Sequence, residues 1–313
     1  MVANTSARRN RRKDSLVQHT WDDRLVVTIS VVAVVIFAVL CIIPFLYVLS
    51  HSFTPYDEYL QAPTRLIPRV FTFDAYQHVL NVQLIRTAYL NTLFIVTVGT
   101  TLNLFLLLIT AYPLTKRDLR GRNIILTLIV FTMFFSGGII PKYYVVQQLG
   151  LMNRLWSLIL PNAISTFNLL LMKSFMSSTI PASLEESAEI DGANAFTVLF
   201  QIIAPLSKPA LATFLVFHAV GHWNAFFEAV LYISSRGNWP LTLVLREVVI
   251  DNNTDLVMNA ATQGIVESGS EQETNPYTIK MATVMFATLP ILLVYPFLQR
   301  FFVKGMMIGA IKQ

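Results

Sequence analysis

His218, His222, Trp223, Asn224 and Glu228 crowd one otherwise apolar stretch of the chain. Ionisable groups are costly inside a long hydrophobic segment, so such a cluster marks a functional surface by default. His218 and His222 are one helical turn apart and share a helix face. Two histidines at that spacing can begin a metal site, but zinc takes three or four protein ligands and no third is evident. The cluster suits the wall of a polar translocation path, or a face packed on a partner. Trp223 fits either a place on that path or ordinary packing, and both readings stay open. The second chemistry-bearing stretch runs from Ser183 to Pro209, SLEESAEIDGANAFTVLFQIIAPLSKP. Ser183 followed three residues later by Glu186 is a helix-start pattern, and Glu185 and Glu186 suit the positive end of a helix dipole. Gly192 lies in a small-residue patch and predicts a bend between two short helices. Absent motifs narrow the field. There is no GxxxxGK[ST] phosphate loop, no HExxH and no GxSxG, so the chain is expected to bind no ATP and to catalyse nothing itself.

These residues are set among long apolar runs. Hydrophobic residues make up 54% of the 313 and charged residues 13%, against about 25% charged in a soluble domain. The expected class is an all-α membrane protein. Six spans of near-bilayer length are expected at Leu25–Leu49, Thr87–Tyr112, Ile124–Ile140, Leu155–Met172, Ala210–Ile233 and Met281–Phe302. Residues 1–24 form a basic segment with Arg8, Arg9, Arg11, Arg12 and Lys13, read as a topological anchor and not as a nucleic-acid site. The first span is longer than a signal-peptide core and is expected to be retained, with Pro44 as a candidate kink. Cys41 falls inside it and is expected to be a packing residue.

With the N-terminus inside, fifteen of the 23 Lys and Arg fall on the cytoplasmic side and eight on the outer side. That bias predicts cytoplasmic N- and C-termini and puts Ser183–Pro209 in the cytoplasm. The long outer loop, 236–277, divides in two. Trp239–Ile250 reads as an interfacial or re-entrant helix, whereas Asp251, Asp255, Glu267, Glu271 and Glu273 make an acidic part that serves either as a docking surface or as a solvated linker. A short outer connection, Pro141–Arg154, is expected to carry an interfacial turn at Tyr143 and Tyr144.

Glu186-Ser187-Ala188, three residues, Gly192, nine residues, Ile202, one residue and Ala204-Pro205 resembles the EAA loop of the membrane subunits of binding-protein-dependent ABC importers. Ser187 replaces the first Ala and Ala204 replaces Leu. The longer string from Glu185 through Asp191, Gly192 and Ala193 is similar to the carbohydrate branch. His222-Trp223-Asn224 resembles the same helix in oligosaccharide importer subunits, and the ending Phe302-x-Lys304-Gly305 to Gly309-Ala310-x-Lys312 resembles that of the maltose-type second membrane subunit and, more closely, that of importers of larger or acidic oligosaccharides. The resemblance implies a type I importer transmembrane domain of six helices in a bacterial cytoplasmic (inner) membrane, spanning 25–302, with a tail, 303–313. It implies as partners a second, non-identical permease subunit, an ATPase dimer and an extracytoplasmic oligosaccharide-binding protein. ATP and Mg would be held by the ATPase subunits, with no cofactor on this chain. It implies ATPase coupling through Glu185, Glu186, Ser187, Ala188, Asp191, Gly192, Ala193 and Pro205, and a tail contact through Lys304, Gly305 and Gly309. An ion-coupled secondary sugar carrier is the alternative, although Glu228 is the sole acid in the spans and no inverted repeat is evident.

Overall fold

The computed structural model describes residues 21–250 and 276–310, and among them every regular element is helical. The acidic part of the long loop and the basic N-terminal run lie outside these residues. In chain order the elements are α1 (Trp21–Ser52), α2 (Tyr56–Gln61), α3 (Asp74–Asn81), α4 (Gln83–Ala111), α5 (Arg122–Phe134), α6 (Ile139–Gln148), α7 (Trp156–Ile159) and α8 (Thr166–Thr179). They continue with α9 (Ala182–Ile190), α10 (Ala195–Thr197), a π-helical stretch Val198–Ile203, α11 (Ala204–Leu206), α12 (Lys208–Trp223), α13 (Phe227–Tyr232), α14 (Leu241–Val249) and α15 (Pro276–Ala310).

Three helices are long and apolar enough to cross a membrane unbroken: α1, α4 and α15. The other three expected spans are broken. Arg122–Phe134 and Ile139–Gln148 meet at 113°, Trp156–Asn162 and Thr166–Thr179 at 53°, and Ala195–Leu206 and Lys208–Trp223 at 79°. The span expected at Ala210–Ile233 also ends early: α12 stops at Trp223 and the chain turns through 224–226 before α13. Tyr143 and Tyr144 are on helix α6, not in a turn.

The helix α4 is the post around which the pieces stand. It contributes Leu107 and Leu108 to a core shared with α8, the π-helical stretch and α12. Ile85 and Ala88 join α3, α14 and α15 in a second core, and Ile95 joins α6, α7 and α13 in a third. Between apolar helices in lipid these contacts stabilise by close packing, since lipid tails are as apolar as the side chains. The segment after Trp239 is helical, as its composition predicts, but α14 buries Leu241, Val244 and Val248 against this core. Its apolar stripe has protein to pack on and is not left to lipid.

The helix α1 departs from expectation in the opposite sense. None of its most apolar window is buried, and Cys41 is exposed, not a packing residue. The helix runs on through Pro44 to Ser52 and meets α15 only near its end, where Tyr47 and Tyr277 hydroxyls lie 3.2 Å apart. Ser183 is not the cap of α9. Pro181 holds that position with φ −66°, which presets the chain for a helix, and Ser183 becomes an exposed first-turn residue. The backbone of α15 continues as helix to Ala310, so the expected separate tail begins inside it.

The loop after α1 is held by Glu58. Its carboxylate accepts from the backbone N–H groups of Arg69 (2.7 Å) and Val70 (3.1 Å) and from the Arg65 guanidinium (2.9 Å). The Arg69 amide, against the opposing effect of desolvation and with help from Val70 and Arg65, holds the carboxyl below its usual range. A lowered carboxyl contributes stability above its unfolded pKa and loses it as the pH falls through the folded one. Amide-exchange protection at Arg69 and Val70, corrected for intrinsic exchange, should therefore hold at neutral pH and fall below about pH 4. Glu58→Gln should weaken it at neutral pH already.

Candidate functional site

Two polar assemblies stand on α4, one at its C-terminal end and one along its middle. The first is built on the stretch Ala182–Leu206. A helix, a left-handed glycine and a second helical piece follow one another, as the small-residue patch predicts. Gly192 has φ +84°, and a Cβ built there meets nothing within 4 Å, so the restriction to glycine comes from the backbone alone. Asn194 then caps the next piece, its Oδ1 accepting from Thr197 N–H at 2.9 Å.

Glu185 faces inward. Its Oε2 is ion-paired with Lys116 Nζ and accepts from Tyr112 OH at 3.4 Å, while Lys116 also reaches Glu189 Oε1 at 3.4 Å. Burial works to lower the Lys116 pKa, but the hydrogen bond and charge of Glu185, then the contact with Tyr112, raise it above the ordinary lysine value. Lys116 thus stays charged at neutral pH, and its pairing with Glu185 joins α9 to the turn that follows α4. Ala188 and Ala193 pack onto the core beneath. Glu186, Ser187, Asp191 and Pro205 are exposed. So are two large apolar side chains, Ile190 at 86% and Phe196 at 74%, on either side of the Gly192 bend. Sequence reasoning missed Tyr112 and Lys116. The available signal was the basic 116–122 loop beside an acidic partner segment.

The second assembly is a cleft. His222 Nε2 donates to Asn103 Oδ1 on α4 at 3.0 Å, and Asn168 Nδ2 on α8 donates to His218 Nε2 at 3.4 Å. Asn103 Nδ2 donates to the Asn162 carbonyl at 3.1 Å. Asn162 Nδ2 donates to Glu228 Oε1 at 3.2 Å, and Lys142 Nζ donates to Asn162 Oδ1 at 2.8 Å. His218, His222, Asn224 and Glu228 line one cavity of about 470 Å³. Trp223 does not. It turns to the core and meets Tyr89 edge-on at 6.1 Å, which is the packing reading. Among the described residues no group of three or more His, Cys, Asp or Glu is gathered to hold a metal. Lys304, Gly305 and Gly309 fall on the final turns of α15.

The helix pair α4–α12 depends on Gly99. A Cβ there would lie 2.6 Å from His222 Nε2, so the imidazole occupies space that any larger residue would take.

A helical post, broken spans around a polar cleft and an exposed bent element find their counterpart in a family model that matches residues 16–308. The chain belongs to the binding-protein-dependent transport system inner membrane components. Among relatives of this permease, the polygalacturonan/rhamnogalacturonan transport system permease protein YtcP of Bacillus subtilis is 43% identical over 277 residues, covering 88% of this chain and 94% of that protein. Protein LplC of the same organism is 46% identical, covering 87% and 89%. Among solved structures, a bacterial ABC transporter involved in the import of the acidic polysaccharide alginate has a chain that superposes with a TM-score of 0.82 at 31% identity, covering 90% of this chain and 98% of that one. The permease is thus a multi-pass membrane component of an ABC importer, a transport protein and not a catalyst. The ion-coupled carrier, open on sequence alone, gives way to this membership.

Two substitutions test the geometry. Gly99→Ala should displace the His222 ring and destabilise the α4–α12 contact by about 1–3 kcal/mol, read as a lower Tm of the detergent-purified protein. Gly192→Val should strain the bend by about 1–2 kcal/mol. Gly192→Asn, which tolerates a left-handed backbone, should be milder in the same measurement.

Proposed function

We propose that this permease forms one wall of the path through which an acidic oligosaccharide crosses the cytoplasmic membrane. The observation that carries the coupling part is the bent element at 182–206. It exposes Ile190, Phe196, Glu186 and Asp191 while Glu185 is tied to Lys116. An apolar, acid-edged surface fixed to a membrane helix suits docking on a separate ATPase subunit. ATP and Mg belong to that subunit, which is expected as a dimer. When the dimer closes, α9 moves with it and the Lys116–Glu185 pair carries the motion to α4, which borders the cleft. A second, non-identical permease supplies the other wall. An oligosaccharide-binding protein delivers the cargo from outside, and the fifteen-to-eight distribution of the 23 Lys and Arg supports termini on the cytoplasmic side. Contact of the α15 tail with the ATPase belongs to the same reading.

The acidic character of the sugar is supported by the likeness to the polygalacturonan/rhamnogalacturonan permease and to the alginate importer. Carbohydrate suits the cleft: amides and a carboxylate at its wall bond hydroxyls, and Phe217, Phe226 and Phe227 offer apolar faces.

Gentle purification of the tagged chain from its own membrane should bring down an ATPase subunit and a different permease. Uptake of trigalacturonate by the reconstituted assembly with its binding protein should require ATP and persist when an uncoupler collapses the proton gradient. Reproducible recovery without any ATPase, or uptake that follows the proton gradient, would overturn the reading.

A further inference from the structure

Breaks in three membrane segments converge on one place. Lys142 is on the first turn of α6, just past the 113° break after α5; Asn162 precedes the 53° break before α8; Glu228 follows the interruption between α12 and α13. Non-helical backbone at membrane depth is tolerated where it lines a cavity or is buried in protein, and here two cavities meet. One of about 670 Å³ is lined by Lys142, Phe227, Glu228 and Tyr232. The other, about 470 Å³, is lined by Asn162, Phe227 and Glu228. Phe227 and Glu228 belong to both.

The three polar side chains form a ladder. Lys142 Nζ donates to Asn162 Oδ1 at 2.8 Å, and Asn162 Nδ2 donates to Glu228 Oε1 at 3.2 Å. The amide separates cation from anion; Lys142 lines the larger cavity and Asn162 the smaller, with Lys142 half-buried and Asn162 exposed. A lone cation in a membrane wall is costly, and Glu228 balances it in the empty state. A carboxylate entering the cavity can replace the amide oxygen at Lys142, forming a stronger, charge-assisted bond.

We propose that Lys142 is the subsite for a uronate carboxylate in this subunit, positioned by Asn162 and balanced by Glu228 when empty. The inference rests on the acidic-oligosaccharide reading above. It assigns direct substrate contact to this chain and makes Lys142 a determinant of charge preference. An acidic sugar ring would lie with its carboxylate on Lys142 and an apolar face toward Phe227 or Tyr232.

Proteoliposomes carrying the complete importer, its binding protein and internal ATP would be tested for uptake of trigalacturonate. Lys142→Gln should reduce the rate about tenfold or more. Lys142→Arg, which keeps the charge, should retain most of the uptake. In the wild-type assembly, carbodiimide-activated trigalacturonate should form an amide with Lys142, identified by peptide mass, and excess unactivated trigalacturonate should suppress it. Wild-type uptake together with an uptake-competent Lys142→Gln overturns the subsite alone. So does an equal loss in the Gln and Arg variants, because charge is then not what the position supplies. Should either variant fail to assemble, absence of the wild-type adduct overturns it as well. A wild-type importer that does not take up trigalacturonate overturns the acidic reading and the subsite with it.

Discussion

Every backbone N–H and C=O inside a hydrocarbon layer needs a partner, and each break in a helix releases several of them. This chain breaks three membrane segments, and α4 holds backbone groups beside one of the breaks and in the connection that leads into α14. Asn91 Nδ2 donates to the carbonyls of Gly237 (2.9 Å) and Trp239 (3.1 Å), and Thr92 Oγ1 accepts from Leu241 N–H at 2.8 Å. Asn103 holds the Asn162 carbonyl and takes the His222 proton donor at the same time. Local groups finish the account: Asn224 Nδ2 bonds Val220 O, and Thr242 Oγ1 donates to Ala225 O. Removing one such amide leaves a carbonyl without its donor, which costs up to about 1–3 kcal/mol where water is shut out. The unbroken helix is therefore what permits the others to be broken.

The same helix joins the two functional assemblies. Its C-terminal end carries Tyr112 and Lys116 toward Glu185, and its middle carries Gly99 and Asn103 toward His222. One rigid rod thus borders both the cleft and the surface suited to an ATPase. Discrete arrangements of packed helices, not continuous bending, are the expected response to a push at one end.

Much of this was legible in the residues. Hydropathy placed six apolar segments, of which α1, α4 and α15 are unbroken candidate spans, because a run of apolar side chains is a composition signal. Hydropathy carries no direction, so it did not locate the breaks; the Ser136-Gly137-Gly138 run was the residue-type signal for the first of them. Gly192 announced its bend through residue type. Pro181 prevailed over the Ser183 capping pattern because a fixed φ sets the helix start one residue before Ser183. Cys41 was misread because an apolar side chain looks the same whether it faces a core or the surface. Asn103, Asn162 and Lys142 gave no signal, since a single amide in an apolar run, or a lysine in a presumed outer connection, gains meaning only when distant segments meet.

The Lys116–Glu185 link joins positions close in space but far apart in sequence; the neighbouring Tyr112–Glu185 and Lys116–Glu189 bonds each span 73 residues. The loop around Gly192 is therefore not a self-contained cassette. A graft of 182–206 from a sister permease would import an acid without its lysine, or an acid pointed at the wrong rung. The unit of exchange between such subunits is the loop together with the foot of α4.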